Sequence, residues 1–210
     1  MRGRLIVLEG GEACGKSTQA ARLAHTLDAV LTREPGGTSI GERVRDLVLD
    51  RSSAGLDARA EALLLSAARA QHVAEVVAPA LEKGRHVVSD RFTGSTLAYQ
   101  GFGRGLQVDD LAALSTFATD GLEPDLVVLL DLAPEVAAAR RGAHLDRLEA
   151  AGEAFHSRVR EGFAALAEAD PAHWVVVDGS GSPDVVAERV GAAVASHLAE
   201  MTMPTGGEDG

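Results

Sequence analysis

Hydrophobic residues form two kinds of pattern along the chain, short unbroken runs and longer amphipathic stretches. Five runs are short, continuous and rich in Val and Leu, which favours strands buried on both faces of a sheet. None approaches the length of about 20 apolar residues that a membrane-spanning helix needs. The predicted strands are Leu5–Leu8, Ala29–Leu31, His86–Ser89, Leu126–Leu130 and Trp174–Val177.

Stretches with helical periodicity separate these runs. The segment Ser39-Ile40-Gly41-Glu42 predicts a capping box, and Ser182-Pro183 predicts an N-cap followed by proline at the first helical position. The predicted helices are Ser17–Leu27, Ile40–Leu49, Asp57–Glu82, Asp109–Thr119, Pro134–Arg141, Ala150–Ala169 and Pro183–Ala199.

The alternation of strands and helices predicts an α/β fold with a five-stranded parallel sheet covered by helices on both faces. Ligands of such sheets bind at the carboxyl ends of the strands. The length of 210 residues suits one domain, which we expect over residues 1–200. Residues 201–210 are polar and glycine-rich and are expected to form a disordered tail.

Composition narrows the possible partners. The net charge of −11 argues against non-specific binding of nucleic acid and requires any anionic ligand to be held by clustered arginines. With one cysteine, Cys14, a disulfide framework is excluded and a reducing cytoplasm is favoured. No membrane span is expected, and the seven histidines show no metal-ligand spacing.

The first predicted strand leads into a phosphate-binding motif. Gly10-Gly11-Glu12-Ala13-Cys14-Gly15-Lys16-Ser17 matches G-x-x-x-x-G-K-[ST], with a strand before it and a helix after it. In this motif backbone N–H groups surround an anion, the lysine reaches the β- and γ-phosphates, and the hydroxyl holds Mg²⁺. The alternative is an ordinary glycine-rich turn, which the complete match disfavours. Of the 20 basic residues, Lys16 and Lys83 are the only lysines, so a chain that otherwise uses arginine has a lysine at the position where this loop requires one.

Two further strand ends carry charged residues. Arg33 opens the segment Arg33-Glu34-Pro35-Gly36-Gly37 and can grip a second phosphate, although the segment also suits a common turn. Asp90 and Arg91 end the third strand, where a carboxylate can order Mg²⁺ and an arginine can pair with a phosphate. A structural Asp–Arg pair is an equal alternative. The following residues 95–105 are expected to form a loop that contacts a small polar ligand, or a simple glycine-rich connection.

Taken together, these segments resemble the thymidylate kinases of bacteria over nearly the whole chain. The phosphate-binding loop alone is shared with many NTPases, whereas its combination with the other segments is highly specific. The resemblance implies a P-loop nucleoside-monophosphate kinase fold with a small mobile lid, and transfer of the γ-phosphoryl of ATP to dTMP with Mg²⁺ by a homodimer. The residues that carry it are Glu9–Thr18, Thr32–Thr38, Ala67–His72, Asp90–Phe92, Ser95–Gly105 and Leu145–Glu149.

The resemblance also implies roles for single residues. It implies catalytic roles for Lys16, Arg91, Arg147 and Glu12. It implies that Ser17 and Asp90 bind Mg²⁺. ATP contacts are implied for Gly10, Gly11, Glu12, Ala13, Cys14, Gly15, Lys16, Ser17 and Thr18, with Arg141 on the adenine. Contacts with dTMP are implied for Glu12, Arg33, Leu65, Arg69, Arg91, Ser95, Thr96, Tyr99 and Gln100.

Within the implied dTMP site, Glu12 receives the 3′-hydroxyl and Arg33 and Arg91 clamp the phosphate. Arg69 hydrogen-bonds thymine in a pocket lined by Ser95, Thr96 and Gln100. Tyr99 lies against C2′ of the sugar and excludes ribonucleotides.

This chain departs from the family pattern in two places. The lid is expected at about residues 142–153, and because the loop position that carries arginine in some members is Ala13, the lid should supply that arginine. Arg147 is the first candidate, with Arg140 and Arg141 as alternatives. Leu65 stands where the family usually has a phenylalanine that stacks on thymine. Either leucine packs the base, or Phe92 or Phe102 compensates, or base affinity is weak.

Two other functions fit parts of the pattern. A kinase of a deoxynucleoside or of another monophosphate shares the phosphate loop, but a nucleoside acceptor does not need two phosphate-binding arginines. A non-enzymatic GTP-binding switch usually reads guanine with Asn-Lys-x-Asp, and this chain contains no asparagine. A dTMP kinase is therefore the favoured interpretation.

Overall fold

The computed structural model describes residues 2–140 and 145–200, with only the backbone of Glu200. Arg141, the first lid residues 142–144 and the expected tail at 201–210 lie outside the described residues. The strands are β1 (Leu5–Glu9), β2 (Val30–Arg33), β3 (Val87–Asp90), β4 (Leu126–Asp131) and β5 (Trp174–Asp178). They form one parallel sheet in the order β2-β3-β1-β4-β5, which confirms the predicted fold class.

Helices follow each strand and agree closely with the sequence predictions. They are α1 (Lys16–Thr26), α2 (Ser39–Leu49), α3 (Ala58–His72), α4 (Ala78–Glu82), α5 (Thr93–Thr96), α6 (Val108–Thr119), α7 (Pro134–Arg140), α8 (Glu153–Ala169) and α9 (Pro183–Glu200). A π-helical turn at Val73–Val77 joins α3 to α4, so the predicted long helix is nearly continuous. Among the residues described, no helix combines the length and the apolar character needed to cross a bilayer.

The central strands separate two hydrophobic clusters. On β1, Ile6 and Leu8 pack with residues of α1 and α9, whereas Leu5 and Val7 face the opposite cluster, which contains Leu81 of α4. Successive side chains of a strand point to opposite faces, so a strand that is apolar at every position must be covered on both faces. All five residues of β1 are buried.

The edge strands do not meet the expectation of burial on both faces. Leu31 in β2 is 50% exposed and Val176 in β5 is 56% exposed. Among the residues that the structure describes, each edge strand pairs on one side only, β2 with β3 and β5 with β4, and the helices cover it incompletely. Short apolar runs in the sequence therefore identified strands without distinguishing central from edge positions.

The register of the sheet gathers the charged strand ends. Asp90 at the end of β3 lies opposite Leu8 of β1 and opposite Arg33 of β2. Glu9 pairs with Leu129 of β4. The phosphate-binding motif and the Asp90-Arg91 pair therefore emerge side by side at the carboxyl edge of the sheet, where α/β proteins bind ligands.

The expected loop at residues 95–105 is instead largely helical. It comprises the end of α5 and a π-helical turn at Leu97–Gly103. Glycine lowers intrinsic helix propensity, which explains why the sequence favoured a loop. Packing overrides this preference, because Ala98 and Tyr99 are buried against Phe155 and Phe163 of α8.

Two helix starts test the capping predictions. The N-cap of α2 is Thr38, whose Oγ1 accepts from Gly41 N at 2.9 Å, one residue before the predicted Ser39. Glu42 Oε1 accepts from Gly37 N at 2.9 Å, which closes the turn before the helix. Helix α9 begins at Pro183, as the Ser182-Pro183 pair predicts.

Candidate active site

The segment between β1 and α1 has the geometry of an anion-binding loop. Gly10 has φ +143°, and a Cβ on it would lie 2.6 Å from Leu130 O, so only glycine fits there. Gly15 has φ +95° at the N-cap of α1, and in the described part of the chain no side chain caps that helix. Free backbone N–H groups at a helix N-terminus attract anions. The loop therefore offers hydrogen-bond donors to an anion of the size of a phosphate.

Lys16 lies across this loop. Its Nζ donates to Gly11 O at 2.6 Å and lies 3.5 Å from Cys14 Sγ. The side chain is mostly buried, so the ammonium group is held beside the N-terminus of α1. Cys14 is a buried free thiol that packs in the hydrophobic core. Two sources of positive potential, Lys16 and the helix dipole, thus converge at the loop.

Ser17 and Asp90 form the oxygen-rich side of the loop. Ser17 Oγ donates to Asp90 Oδ2 at 2.5 Å. Asp90 Oδ1 is buried and makes no hydrogen bond with the part of the chain that the structure describes. Over the same residues no group of three His, Cys, Asp or Glu side chains is placed to hold a metal ion. Mg²⁺ is typically bound by one or two carboxylates together with phosphate and water, and this pair suits that mode.

A charged cluster of Glu12, Arg91 and Tyr99 lies next to the loop. Arg91 Nη2 donates to Glu12 Oε1 at 2.8 Å, and Tyr99 OH donates to the same oxygen at 2.5 Å. Arg91 Nη1 donates to Gly10 O and to Ser95 Oγ, both at 3.1 Å, and its guanidinium lies 5.0 Å from the centroid of the Tyr99 ring. These contacts fix the arginine between the loop and the residues that follow β3.

The electrostatics of this cluster keep its charges intact. Burial raises the pKa of the Glu12 carboxyl, but the charges of Arg91 and Lys16 outweigh burial and lower that pKa to about 2. Burial disfavours the charge of Arg91, yet the oxygens of Tyr99 and Glu12 raise its pKa above the ordinary value. Burial also raises the pKa of the Tyr99 hydroxyl. Near neutral pH the cluster is therefore a carboxylate, a guanidinium and a neutral phenol.

Glu9 holds the backbone that carries Arg91. Its Oε1 accepts from Phe92 N and Ser95 N, both at 2.9 Å, and its Oε2 accepts from Ser95 Oγ at 2.6 Å. Burial raises the pKa of Glu9, and the nearby charge of Arg91 opposes that rise. Arg91 itself has φ +73°, an unusual value for a residue with a side chain, and the three bonds to Glu9 brace this turn.

Beyond this cluster opens a cleft, here called the central cavity. Its walls come from α2, α3, the segment after β3, and the chain before α8. They include most of the residues implied for dTMP, namely Leu65, Arg69, Ser95, Thr96 and Gln100 in addition to the charged cluster. The full lining is Glu12, Glu34, Pro35, Arg45, Leu49, Leu65, Arg69, Arg91, Phe92, Ser95, Thr96, Tyr99, Gln100, Asp146 and Leu148.

Arg33 lies outside this lining and Arg45 lies within it. Arg33 Nη2 donates to both carboxylate oxygens of Glu42, at 2.8 and 2.9 Å, and the arginine side chain is 52% exposed. Arg45 Nη1 donates to Pro35 O at 3.0 Å, which holds its guanidinium at the cavity. Sequence reasoning missed Arg45, although its place one helical turn after Glu42 puts it on the same side of α2.

Arg69 enters the cavity from a buried hydrogen-bond network. Its Nε donates to Glu34 Oε2 at 2.7 Å and its Nη2 donates to Phe92 O at 3.0 Å. His72 Nδ1 donates to Glu34 Oε1 at 2.9 Å, and Thr32 Oγ1 lies 2.6 Å from His72 Nε2. Arg69 Nη1 is buried and has no hydrogen-bond partner among the described residues. One donor therefore remains for a ligand.

Phe92 and Phe102, the two aromatic residues considered as partners of Leu65, lie in different places. Phe92 lines the central cavity with Leu65, whereas Phe102 lies outside it. Phe102 packs on α8, where a Cβ added to Gly162 would approach its ring to 2.6 Å. The guanidinium of Arg69 lies 5.4 Å from the centroid of the Phe92 ring. Of these two aromatic residues, Phe92 is the one that lines the cavity, and a contact with thymine stays a prediction for it and for Leu65.

Arg147 has partners on the body of the protein and not on the phosphate-binding loop. Its Nε donates to Val48 O at 2.6 Å, its backbone N to Leu49 O at 3.0 Å, and its Nη2 to Glu61 Oε2 at 2.5 Å. The neighbours Asp146 and Leu148 line the central cavity. This part of the predicted lid is therefore fastened to α2 and α3.

The two alternatives to Arg147 are Arg140 and Arg141. Arg140 donates to Gly179 O and Gly181 O, both at 3.2 Å, in the connection between β5 and α9. Arg141 lies outside the described residues. Ala13, the loop position without an arginine, adopts φ +58°.

Comparisons with known proteins agree with this geometry. The family model for thymidylate kinase matches residues 8–190. The chain is 50% identical over 198 residues to a thymidylate kinase from a Synechococcus species, covering 92% of this chain and 96% of that protein. It is 47% identical over 207 residues to one from Solidesulfovibrio magneticus, covering 92% and 99%.

The fold of this chain is also similar to that of a solved structure. The crystal structure of thymidylate kinase from Ehrlichia chaffeensis matches with a TM-score of 0.76 and 30% identity, over 93% of this chain and 99% of that one. A family match over residues 8–190 and relatives near 50% identity over nearly their full length fix the assignment. The chain belongs to the thymidylate kinase family.

Proposed function

We propose that this protein transfers the γ-phosphoryl group of ATP to dTMP, giving dTDP and ADP on the route to dTTP. The observation that carries the proposal is the Glu12, Arg91 and Tyr99 cluster, which lies between an anion-binding loop and a polar cavity. A site that joins two phosphates in line needs a cation at their junction, and the position of Arg91 between the loop and the cavity supports that role for it.

The donor side uses the loop and α1. The loop amides and Lys16 hold the phosphates of ATP, and Lys16 stabilises the charge that develops on the transferred group. The Ser17 hydroxyl and the free Oδ1 of Asp90 fit Mg²⁺, because both are oxygen ligands beside the loop. When bound there, Mg²⁺ would neutralise negative charge on the phosphates of ATP.

The acceptor side uses the central cavity. Arg91 and Arg45 bind the dTMP phosphate, and Arg45 takes the role that the resemblance implied for Arg33, since Arg33 is paired with Glu42. Glu12 is ionised and accepts the 3′-hydroxyl, while the ring of Tyr99 excludes a 2′-hydroxyl. Arg69 and Gln100, with Ser95, Thr96 and Leu65, surround the thymine.

In the transfer step an oxygen of the dTMP phosphate attacks the γ-phosphorus, and the bond from that phosphorus to the β–γ bridging oxygen breaks. Charge moves from the attacking oxygen to the leaving oxygen, and Lys16 and Arg91 stabilise both ends. We assign Arg147 to holding the lid segment, because its guanidinium is bound by Glu61 and Val48. Arg140 donates to Gly179 O and Gly181 O, so Arg141, the remaining alternative beside the lid, becomes the candidate for the γ-phosphate in place of the implied adenine contact.

We also propose that the protein works as a homodimer in the cytoplasm. Large apolar side chains are exposed on three helices, Leu47 on α2, Leu63 on α3 and Phe117 on α6, and α3 packs against both α2 and α6. Exposed apolar side chains on neighbouring helices are typical of a subunit interface. The single cysteine and the use of ATP support a reducing compartment.

A substrate panel tests the function. ADP release is measured with dTMP, dUMP, dCMP, dGMP and thymidine, and we expect dTMP to give the highest kcat/KM. Lys16→Ala should lower kcat by about 100-fold or more while the fold persists, as loss of one preorganised electrostatic contact does. Lys83→Ala is the matched control, since Lys83 is an exposed lysine at the end of α4. Preference for another acceptor, or a Lys16→Ala enzyme with over a tenth of the normal kcat, contradicts the proposal.

A further inference from the structure

Glu61 is a fully buried carboxylate that the proposed chemistry does not use. It lies on α3 with 0% exposure and accepts from Gln100 Nε2 at 2.7 Å and from Arg147 Nη2 at 2.5 Å. Arg104 adds two longer contacts, at 3.3 and 3.4 Å. Burial raises the pKa of Glu61, but the hydrogen bonds from Gln100 and Arg147 outweigh it and leave the pKa lowered. Glu61 is therefore ionised.

The charge of Glu61 determines which end of the Gln100 amide faces the ligand. An ionised carboxylate has only acceptor sites, so the NH₂ end of the Gln100 amide must point to it. The amide oxygen then points away from Glu61, on a side chain that lines the central cavity. Without Glu61, either end of the amide could face the cavity.

Arg69 supplies the second half of a recognition pattern. Its Nη1 is a buried donor that lacks a hydrogen-bond partner within residues 2–140 and 145–200, and Arg69 lines the same cavity as Gln100. A donor and an acceptor together complement thymine, whose O4 accepts and whose N3–H donates. Cytosine carries a donor and an acceptor in the reverse order at the corresponding positions.

We propose that Glu61 is a positioning residue for base specificity. It fixes Gln100 with the amide oxygen toward the cavity, so that thymine is accepted and cytosine is rejected. This inference rests on the proposed function, since it places the base of dTMP in the central cavity.

Glu61→Gln tests the inference because the substitution keeps the shape and removes the charge. Oε2 of Glu61 accepts from Arg147 at 2.5 Å and from Arg104 Nη2 at 3.3 Å, whereas the arginine contact on the Oε1 side is the 3.4 Å one from Arg104 Nε, so the stronger arginine donors lie on the Oε2 side. The oxygen of the introduced amide should therefore face the arginines and its NH₂ should face Gln100. Gln100 must then turn its own oxygen to residue 61 and its NH₂ to the cavity.

The readout is the ratio of kcat/KM for dTMP to kcat/KM for dCMP. We expect Glu61→Gln to lower this ratio about tenfold or more, as the mismatch of one buried hydrogen bond does. The ratio of dTMP to dUMP should stay the same, because uracil and thymine share the O4 and N3–H groups. Equal losses for dTMP and dCMP would mean a purely structural role and overturn the inference.

Further variants separate positioning from stability. Arg104→Met removes the longer contacts with Glu61 and leaves the bond to Gln100, so the dTMP to dCMP ratio should not change. Gln100→Leu should lower the ratio, and adding Glu61→Gln to it should lower the ratio no further. An unchanged ratio in Gln100→Leu, or an additional fall in the double variant, overturns the inference. If the wild-type enzyme does not phosphorylate dTMP, the proposed function fails instead.

Discussion

Glu12 shows how much a single residue depends on its surroundings. Its carboxylate is the common acceptor for Arg91 and Tyr99, and it lies beside the phosphate-binding loop. The charge persists despite burial because Arg91 and Lys16 compensate for lost hydration. Hydrogen bonds to Glu12 and Gly10 hold the guanidinium of Arg91 in place, and in the proposed reaction this preorganisation would reduce the reorganisation that the transition state requires.

We expect Glu12→Gln to weaken the dependence of stability on pH in acid. A carboxyl whose pKa is about 2 in the folded protein and 4.5 ordinarily stabilises the fold above pH 4.5. That stability is lost as the pH falls through the folded value, over the window from about 4.5 to 2. The contribution is at most about 3 kcal/mol. Urea unfolding of both proteins from pH 2 to pH 7 measures it.

The control for this measurement is Glu123→Gln, which changes an exposed carboxylate away from the cluster. Its unfolding curve should keep the wild-type dependence on pH. If Glu12→Gln also keeps that dependence, the pairing of Glu12 with Arg91 does not hold in solution.

At the scale of elements, two segments decide the shape of the central cavity. The π-helical turn at Leu97–Gly103 packs on α8 and brings Tyr99 and Gln100 inward. The segment before α8 brings Asp146 and Leu148 to the opposite wall, with Arg147 fastened between them to Glu61. Gln100 of the first segment and Arg147 of the second therefore both donate to one buried carboxylate, Glu61.

Arg147→Ala removes the ion pair with Glu61 and should lower both the stability of the protein and its affinity for the acceptor. Removing one partner of a buried ion pair typically costs about 3–5 kcal/mol, because the other charge remains buried. We expect a lower melting temperature and a KM for dTMP raised by about tenfold, with a smaller change in kcat. Thermal unfolding and steady-state kinetics with ATP and dTMP check both effects.

Arg160→Ala provides the comparison, since Arg160 is an exposed arginine on α8. It should resemble the wild type in both measurements. A fall of kcat by about 100-fold in Arg147→Ala with unchanged KM would instead identify a contact made only in the transition state. The sequence prediction that Arg147 is catalytic would then be correct.

At the scale of the whole molecule, large apolar side chains are exposed on two neighbouring helices. Phe117 on α6 is 86% exposed, and Leu63 on the adjacent α3 is 58% exposed. Exposed side chains of this size are common at interfaces, where they are buried by the partner. Val176, on the edge strand β5, is 56% exposed on a different element.

Phe117→Glu should convert the proposed dimer to a monomer. A carboxylate at the centre of an apolar interface loses its hydration without a compensating partner, which costs several kcal/mol. Sedimentation velocity over a range of concentrations measures the change in mass. Val176→Glu should leave the dimer intact. A wild-type protein that sediments as a monomer, or a Phe117→Glu protein that remains dimeric, contradicts the proposed interface.

The sequence by itself determined the order and type of most elements and the identity of the phosphate-binding loop. These features depend on local patterns. Apolar runs predict strands, periodicity predicts helices, and Gly10–Ser17 carries its backbone requirements within a few residues. The resemblance to thymidylate kinases extended this to Arg69, Arg91 and Gln100, all of which line the central cavity.

Only the tertiary structure decided which partners the charged residues take. Arg33 pairs with Glu42 and Arg45 reaches the cavity, and this difference depends on how α2 packs after the turn. The helical conformation of residues 97–103 depends on burial against α8, which outweighs the low helix propensity of its glycines. Arg147 meets Glu61 across 86 residues of sequence. Such long-range contacts arise from packing between distant segments, which no local pattern encodes.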